Sequence, residues 1–180
     1  MQELVLEPEG FAETSPRPEA VPGSAEEPTA TRERRERPLV LVVDDEAAIR
    51  LLCRVNLRLE QIDTTEAEDG VTALRLTREV GPDLVLLDVM MPQMDGWQVA
   101  AELAADDATC EIPIVFLTAR SESADLLRGY ELGAVGYVSK PFDPTELGAT
   151  LHDVLQRLGR GERDAMRRER IEELGGPTQH

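Results

Sequence analysis

Short apolar runs recur along the middle of this chain, and between them apolar positions fall three and four apart. "LVLVV" (39–43), "DLVLLD" (83–88) and "IPIVFLTA" (112–119) are rich in β-branched residues, as strands buried on both faces are. "VGYVS" (135–139) is a shorter strand and "IDTTEA" (62–67) a fainter one. After the first run, Ala48, Leu52, Val55 and Leu59 recur at helical spacing, with Arg50, Arg54 and Arg58 on another face. Residues 69–81 read as a helix with Asp69 as N-cap and Gly81-Pro82 as its stop. Further helices are predicted over 96–106 and over 121–133, the latter between a Ser121 cap and Gly133. The last covers 143–159, with Asp143 as N-cap, Pro144 at the first helical position and Leu147, Leu151, Val154 and Leu158 on one face. Five strands alternating with five helices predict an α/β fold: a parallel sheet with right-handed crossovers and helices on both faces. All strands then end at one edge, where such folds bind ligands.

The flanks have a different texture. Residues 1–38 carry six prolines and few apolar residues, and are expected to be a disordered tail ahead of one domain over 39–158. From 159 to 180 the chain is a charged extension balancing five acidic with five basic residues, for which a frayed helix is one reading. It has too little apolar content for an output domain and no helix-turn-helix pattern. A net charge of −17 repels nucleic acid and anionic membranes, so direct DNA binding and membrane insertion are not expected. A docked protein or a metal ion suits it better. Cys53 and Cys110 form no CxxC pair and read as reduced thiols of a cytoplasmic protein. The N-terminus has no apolar core of a signal peptide, and the longest apolar runs are too short to span a bilayer.

The strand ends carry the chemistry. Strand one ends in Asp44-Asp45, strand three in Asp88 and strand four in Thr118, and strand five runs into Lys140. Three carboxylates at one edge repel one another unless a cation joins them. Mg²⁺, a hard ion that takes carboxylates, waters and phosphate oxygens, fits that need. A carboxylate at the centre of such a site can itself attack phosphorus and become an aspartyl-phosphate. Lys140 would neutralise the transferred group, and the Thr118 hydroxyl would donate to it. Each residue also has a plainer role: one of the paired aspartates as a helix cap, Thr118 as a β-branched strand residue, Asp95 as a turn residue before Gly96. For Lys140 composition speaks against that, because the chain has 18 arginines and this one lysine. A compact ammonium fits beside a small phosphoryl group where a planar guanidinium does not.

"LVVDDE", "DLVLLDVMMPQMDG", "IVFLTA" and "GAVGYVSKPF" together resemble the receiver domain of bacterial two-component response regulators, over about residues 39–158. The resemblance implies a flavodoxin-like (βα)5 three-layer sandwich with strand order 2-1-3-4-5. It implies that Asp88 is phosphorylated by a sensor histidine kinase or phosphotransfer protein. It makes Asp44 and Asp45 the acidic pair around Mg²⁺, with Asp45, Asp88 and the Met90 carbonyl as direct ligands. It makes Thr118 and Tyr137 a switch pair, remodelling residues 121–158, and it implies a cis Lys140-Pro141 bond. Met90 and Arg120 occupy the positions that flank water's approach to the phosphoryl group. Neither offers an acceptor to orient that water, so slow loss of the group is expected.

The chain departs from the winged-helix class of these regulators, which has two acidic residues where Val135 and Gly136 stand, and arginines where Thr150 and His152 stand. A stand-alone receiver that signals to an unidentified protein target is the resulting expectation, a phosphoryl acceptor and not an enzyme. Two other classes are weighed against it. A phosphatase of the haloacid-dehalogenase type needs an acid two residues beyond the nucleophile, where this chain has Met90. A phosphorylation-independent adaptor would not need all five site residues.

Overall fold

The computed structural model describes residues 35–119 and 123–174, apart from the side chains of 123–125. All belong to the unit from Arg32 to His180. The predicted tail lies almost wholly outside them, as do Arg120 and the Ser121 cap.

Five strands form one parallel sheet in the order β2-β1-β3-β4-β5. They are β1 (Leu39–Val43), β2 (Asp63–Ala67), β3 (Leu84–Asp88), β4 (Ile114–Thr118) and β5 (Ala134–Ser139). The central strands are apolar without alternation because both faces are covered. Leu41, Val43, Val85, Leu87, Ile114 and Phe116 point to one side. Val40, Val42, Leu84, Leu86, Val115 and Leu117 point to the other.

Helices α2 (Gly70–Val80) and α3 (Gly96–Ala105) cover the first side with Ala73, Trp97, Val99, Ala100 and Leu103. Helices α1 (Ala47–Leu59) and α5 (Pro144–Gly159) cover the second with Cys53, Leu57, Leu147, Leu151 and Val154. Helix α4 (Ser123–Glu131) adds the buried Tyr130 to the first side. The predicted caps form: Asp69 accepts from the Thr72 amide and Asp143 from the Thr145 amide, and Gly81 ends α2 in the left-handed region. Asp95 does more than turn the chain. It caps α3 in a reciprocal box with Gln98.

Two expectations are corrected. The stripe Ala48, Leu52, Val55 and Leu59 on α1 faces outward, with Leu59 72% exposed. Cys53 and Leu57 point inward instead, because α1 must also present Arg50 and Arg54 to Glu66 on β2. And residues 163–173 do not fray. They form α6 (Arg163–Glu173), which packs on β5, the edge strand, with Met166 in the second core and Ile171 and Leu174 against the first. Arg157 on α5 reaches both Glu162 and Glu169, fastening the turn between the two helices.

Candidate functional site

Parallel strands deliver Asp44, Asp88, Thr118 and Lys140 to one edge of the sheet, because each follows or ends a strand. Asp44 is wholly buried. Its Oδ1 accepts from the Glu46 amide at 2.9 Å, which turns the chain into α1, and its Oδ2 accepts from Lys140 Nζ at 2.7 Å. Arg50 donates to the backbone carbonyls of Asp44 (2.7 Å) and Asp45 (3.2 Å), so this turn is clamped from α1 as well. Sequence reasoning placed Arg50 only on a helix face.

Asp88 is buried as the last residue of β3. Lys140 Nζ lies 3.1 Å from its Oδ1, but off the hydrogen-bonding direction, and that buried oxygen has no aligned donor. Carboxylate oxygens of Asp44, Asp45 and Asp88 all lie within 4.8 Å of one another, and Asp45 is the exposed member. Three carboxylates therefore face one ammonium. Burial pushes the Asp88 carboxyl above the usual carboxylate range. Lys140 opposes that rise and the charge of Asp44 adds to it. Burial works to lower the Lys140 ammonium, but its hydrogen bond to Asp44 and its charge contacts with Asp44 and Asp88 outweigh this and hold it above the usual range. The geometry makes Asp44 the closer partner of the lysine. Beside them, burial and then the charge of Asp44 push the Cys53 thiol up to about 12, so it stays protonated at neutral pH.

Lys140 is itself placed by its amide, which donates to the Thr118 carbonyl at 2.8 Å, and the Lys140-Pro141 bond is cis. Thr118 is buried at the end of β4, in register with Ser139. Met90 stands in the loop after β3 and is 55% exposed, so no acid of a phosphatase occupies that position.

Tyr137, on β5, is held from α4 and β4. Its hydroxyl donates to the Leu126 carbonyl of α4 at 2.9 Å, and its ring stacks on Phe116 at 5.4 Å and meets Tyr130 edge-on at 5.2 Å. Gly129 makes this placement possible: a Cβ there would sit 1.7 Å from the Tyr137 hydroxyl oxygen and 2.8 Å from Cζ. A glycine inside a helix costs about 1 kcal/mol against alanine, which is the one signal in the sequence that it has a packing duty. Gly129→Ala is expected to regain that ~1 kcal/mol, but an approach of 1.7 Å puts the overpacking cost at the upper end of its usual range, about 3 kcal/mol, for a net loss. Thermal unfolding and near-ultraviolet circular dichroism check it. A gain in stability with an unchanged aromatic spectrum would show that Tyr137 does not depend on Gly129.

Residues 40–152 match the response regulator receiver domain family. The chain is 45% identical to the DNA-binding response regulator MtrA of Mycobacterium tuberculosis, over 67% of this chain and 52% of that protein. It is 42% identical to the phosphate regulon transcriptional regulatory protein PhoB of Pseudomonas aeruginosa, over 70% of this chain and 55% of that one. The receiver domain of Francisella response regulator 1452 superposes with a TM-score of 0.63 at 30% identity, covering 68% of this chain and 99% of that domain. The chain thus spans about half the length of the curated relatives it matches. These relatives correct the expectation of no direct DNA binding. MtrA is a DNA-binding regulator, although only about half of it matches this acidic chain. The charge of a receiver segment is a property of that segment alone, and does not decide whether a regulator contacts DNA. Among the described residues no helix is long and apolar enough to cross a membrane. By its matched residues and its strand order, the chain belongs to the response regulator receiver domain family.

Proposed function

We propose that Asp88 accepts a phosphoryl group from a phosphohistidine donor and that the transfer switches the face built by residues 121–158. The observation that carries this is the buried Asp88 oxygen with no aligned donor, set 3.1 Å from the chain's one lysine. A carboxylate oxygen of Asp88 forms the new bond to phosphorus as the bond from phosphorus to the donor nitrogen breaks, and the histidine leaves. Lys140, already held by Asp44, neutralises charge on the phosphoryl oxygens without rearranging. Thr118 is proposed to donate its hydroxyl to one of those oxygens, and Tyr137 to follow it. Both conformations exist beforehand, and the phosphoryl group changes their balance.

The donor set fits Mg²⁺: hard oxygen ligands, an excess of negative charge and one buried carboxylate oxygen without an aligned hydrogen-bond donor. Asp44, Asp45, Asp88 and the Met90 carbonyl would hold it. Bound there, the ion would supply further neutralisation of the transferred charge. The chain acts as an acceptor and not as a turnover enzyme, and its output is contact between the switched face and a partner protein.

Incubation with acetyl phosphate and Mg²⁺, followed by intact mass, tests this. One phosphoryl group is expected on the wild type and none on Asp88→Asn. No gain on the wild type would favour an adaptor, and continued consumption of the donor a phosphatase. Lys140→Arg keeps the charge but replaces a point ammonium with a planar fork, in a pocket where Nζ now serves two carboxylates. It is expected to slow phosphoryl uptake at least about 10-fold, only ~1.4 kcal/mol in barrier height. Uptake at the wild-type rate would contradict the role given to the lysine.

A further inference from the structure

Helix α6 follows the last element of the receiver fold and lies on the β5 edge, against α4. That is the face the proposed switch would remodel, so any signalling role for α6 rests on that reading. The attachment has a specific anchor. Arg167 donates through both Nε (3.1 Å) and Nη2 (2.5 Å) to the backbone carbonyl of Tyr130, near the end of α4. The Tyr130 ring is buried and meets Tyr137 edge-on, and Tyr137 stacks on Phe116, two residues before Thr118. An unbroken series of contacts therefore joins the phosphoryl-facing end of β4 to the residue that holds α6.

The rest of the attachment is loose. Met166 is the one side chain of α6 among the buried residues. Eight of the eleven residues of α6 are charged. Arg163 reaches Glu111 and the Cys110 carbonyl, but its buried Nε has no acceptor, a cost that exists only while the helix is docked. Between α6 and the α4, β5 and α5 surface there remains a cavity of about 550 Å³, lined by Leu126, Tyr137, Val154, Met166 and Leu174 among others. Besides Met166 and the Tyr130 carbonyl, α6 is held by the partly buried Ile171 and Leu174 and by ion pairs of Arg157 with Glu169 and Arg163 with Glu111 whose carboxylates are exposed, and such pairs contribute little, so the helix is readily displaced.

We propose that α6 is an intramolecular latch. Docked, it covers the β5 edge and shields the apolar surface beneath it. When Tyr137 moves in response to phosphorylation, Tyr130 loses its edge contact, the carbonyl held by Arg167 shifts, and α6 releases. Linkage makes the coupling reciprocal: whatever loosens α6 must favour the phosphorylated form equally.

Hydrogen exchange on the full chain tests this, with and without beryllofluoride and Mg²⁺, with occupancy read in parallel by native mass. On the occupied protein, amides of 163–173 are expected to exchange at least about 5-fold faster, the low end of ordinary couplings between sites. Arg167→Gln should raise α6 exchange without ligand, and should tighten beryllofluoride binding by a similar factor. Occupied protein with unchanged or slower α6 exchange would overturn the latch and leave the phosphoryl site standing. Equal beryllofluoride affinity in Arg167→Gln, with α6 already loosened, would overturn it too. No occupancy at all would instead remove the phosphoryl reading on which the latch depends.

Discussion

Replacing Gly96 by alanine is expected to lower stability by at least about 3 kcal/mol, the upper end of ordinary overpacking. A Cβ at Gly96 would lie 2.3 Å from the Asp88 carbonyl oxygen and 2.8 Å from the Val89 Cα. Both neighbours are backbone, so no side chain can turn aside. The glycine closes the loop after β3: its amide donates to the Val89 carbonyl at 3.0 Å, and the helix it begins is capped by Asp95. Relief must come from moving α3 away from β3 or from bending the strand end, and Asp88 is that strand end. A melting point lower by about 10 °C is the expected readout for a domain of this size. Phosphoryl uptake should slow by as much as about 10²-fold, since a misplacement of ~1 Å can cost that much. A Gly96→Ala protein with wild-type melting and wild-type uptake would show that the close approach of α3 to Asp88 has no consequence.

Asp88→Asn is expected to abolish phosphorylation and yet stabilise the Mg²⁺-free protein at neutral pH, by about 1 kcal/mol or more. Asp88 is buried beside Asp44, with one lysine for both. Its carboxyl is held above the usual range, mainly by burial. A carboxyl with a raised folded-state pKa contributes stability below its unfolded value and loses it as pH climbs through the folded value. The gain from the asparagine should therefore be small near pH 4, an ordinary carboxylate value, and grow with rising pH until Asp88 is fully ionised in the wild type. Mg²⁺ should raise the melting point of the wild type by mass action and that of the mutant less. An asparagine variant that melts at or below the wild type in chelator at neutral pH would contradict the crowding of charge described for this site.

The sheet and the gathering of carboxylates and a lysine at its edge were legible for a common reason. Continuous apolar runs such as 84–87 signal strands covered on both sides, and strict alternation with helices makes them parallel. Once parallel, strands that end in Asp44, Asp88 and Thr118 must place those side chains together, however far apart they are in the chain. The Asp69 and Asp143 caps were legible because capping is a local interaction of side chain with backbone. What failed was global. Helical periodicity finds an apolar stripe on α1 but does not say which side the sheet is on, and there the stripe faces out while Cys53 and Leu57 face in. A helix after residue 159 was legible but its docking was not, because that rests on Met166 and on a guanidinium holding a distant carbonyl, and no window of sequence contains both partners. What Gly96 and Gly129 pack against was hidden for the same reason, since each matters through an atom from another element. The DNA expectation failed differently: it rested on net charge and on the lack of a helix-turn-helix pattern, whereas relatives that match over about half their length are DNA-binding regulators.

The most direct measurement of the central claim is reductive trapping of the acyl phosphate. The protein is incubated with acetyl phosphate and Mg²⁺, treated with borohydride and mapped by peptide mass. An aspartyl-phosphate is reduced to homoserine, so the modified residue reports the acceptor even if the phosphoryl group is short-lived. Conversion at Asp88, with Asp44 and Asp45 unmodified, is the expected result. Conversion at another aspartate, or none on a folded protein supplied with donor and ion, would contradict the assignment of Asp88 as the phosphoryl acceptor.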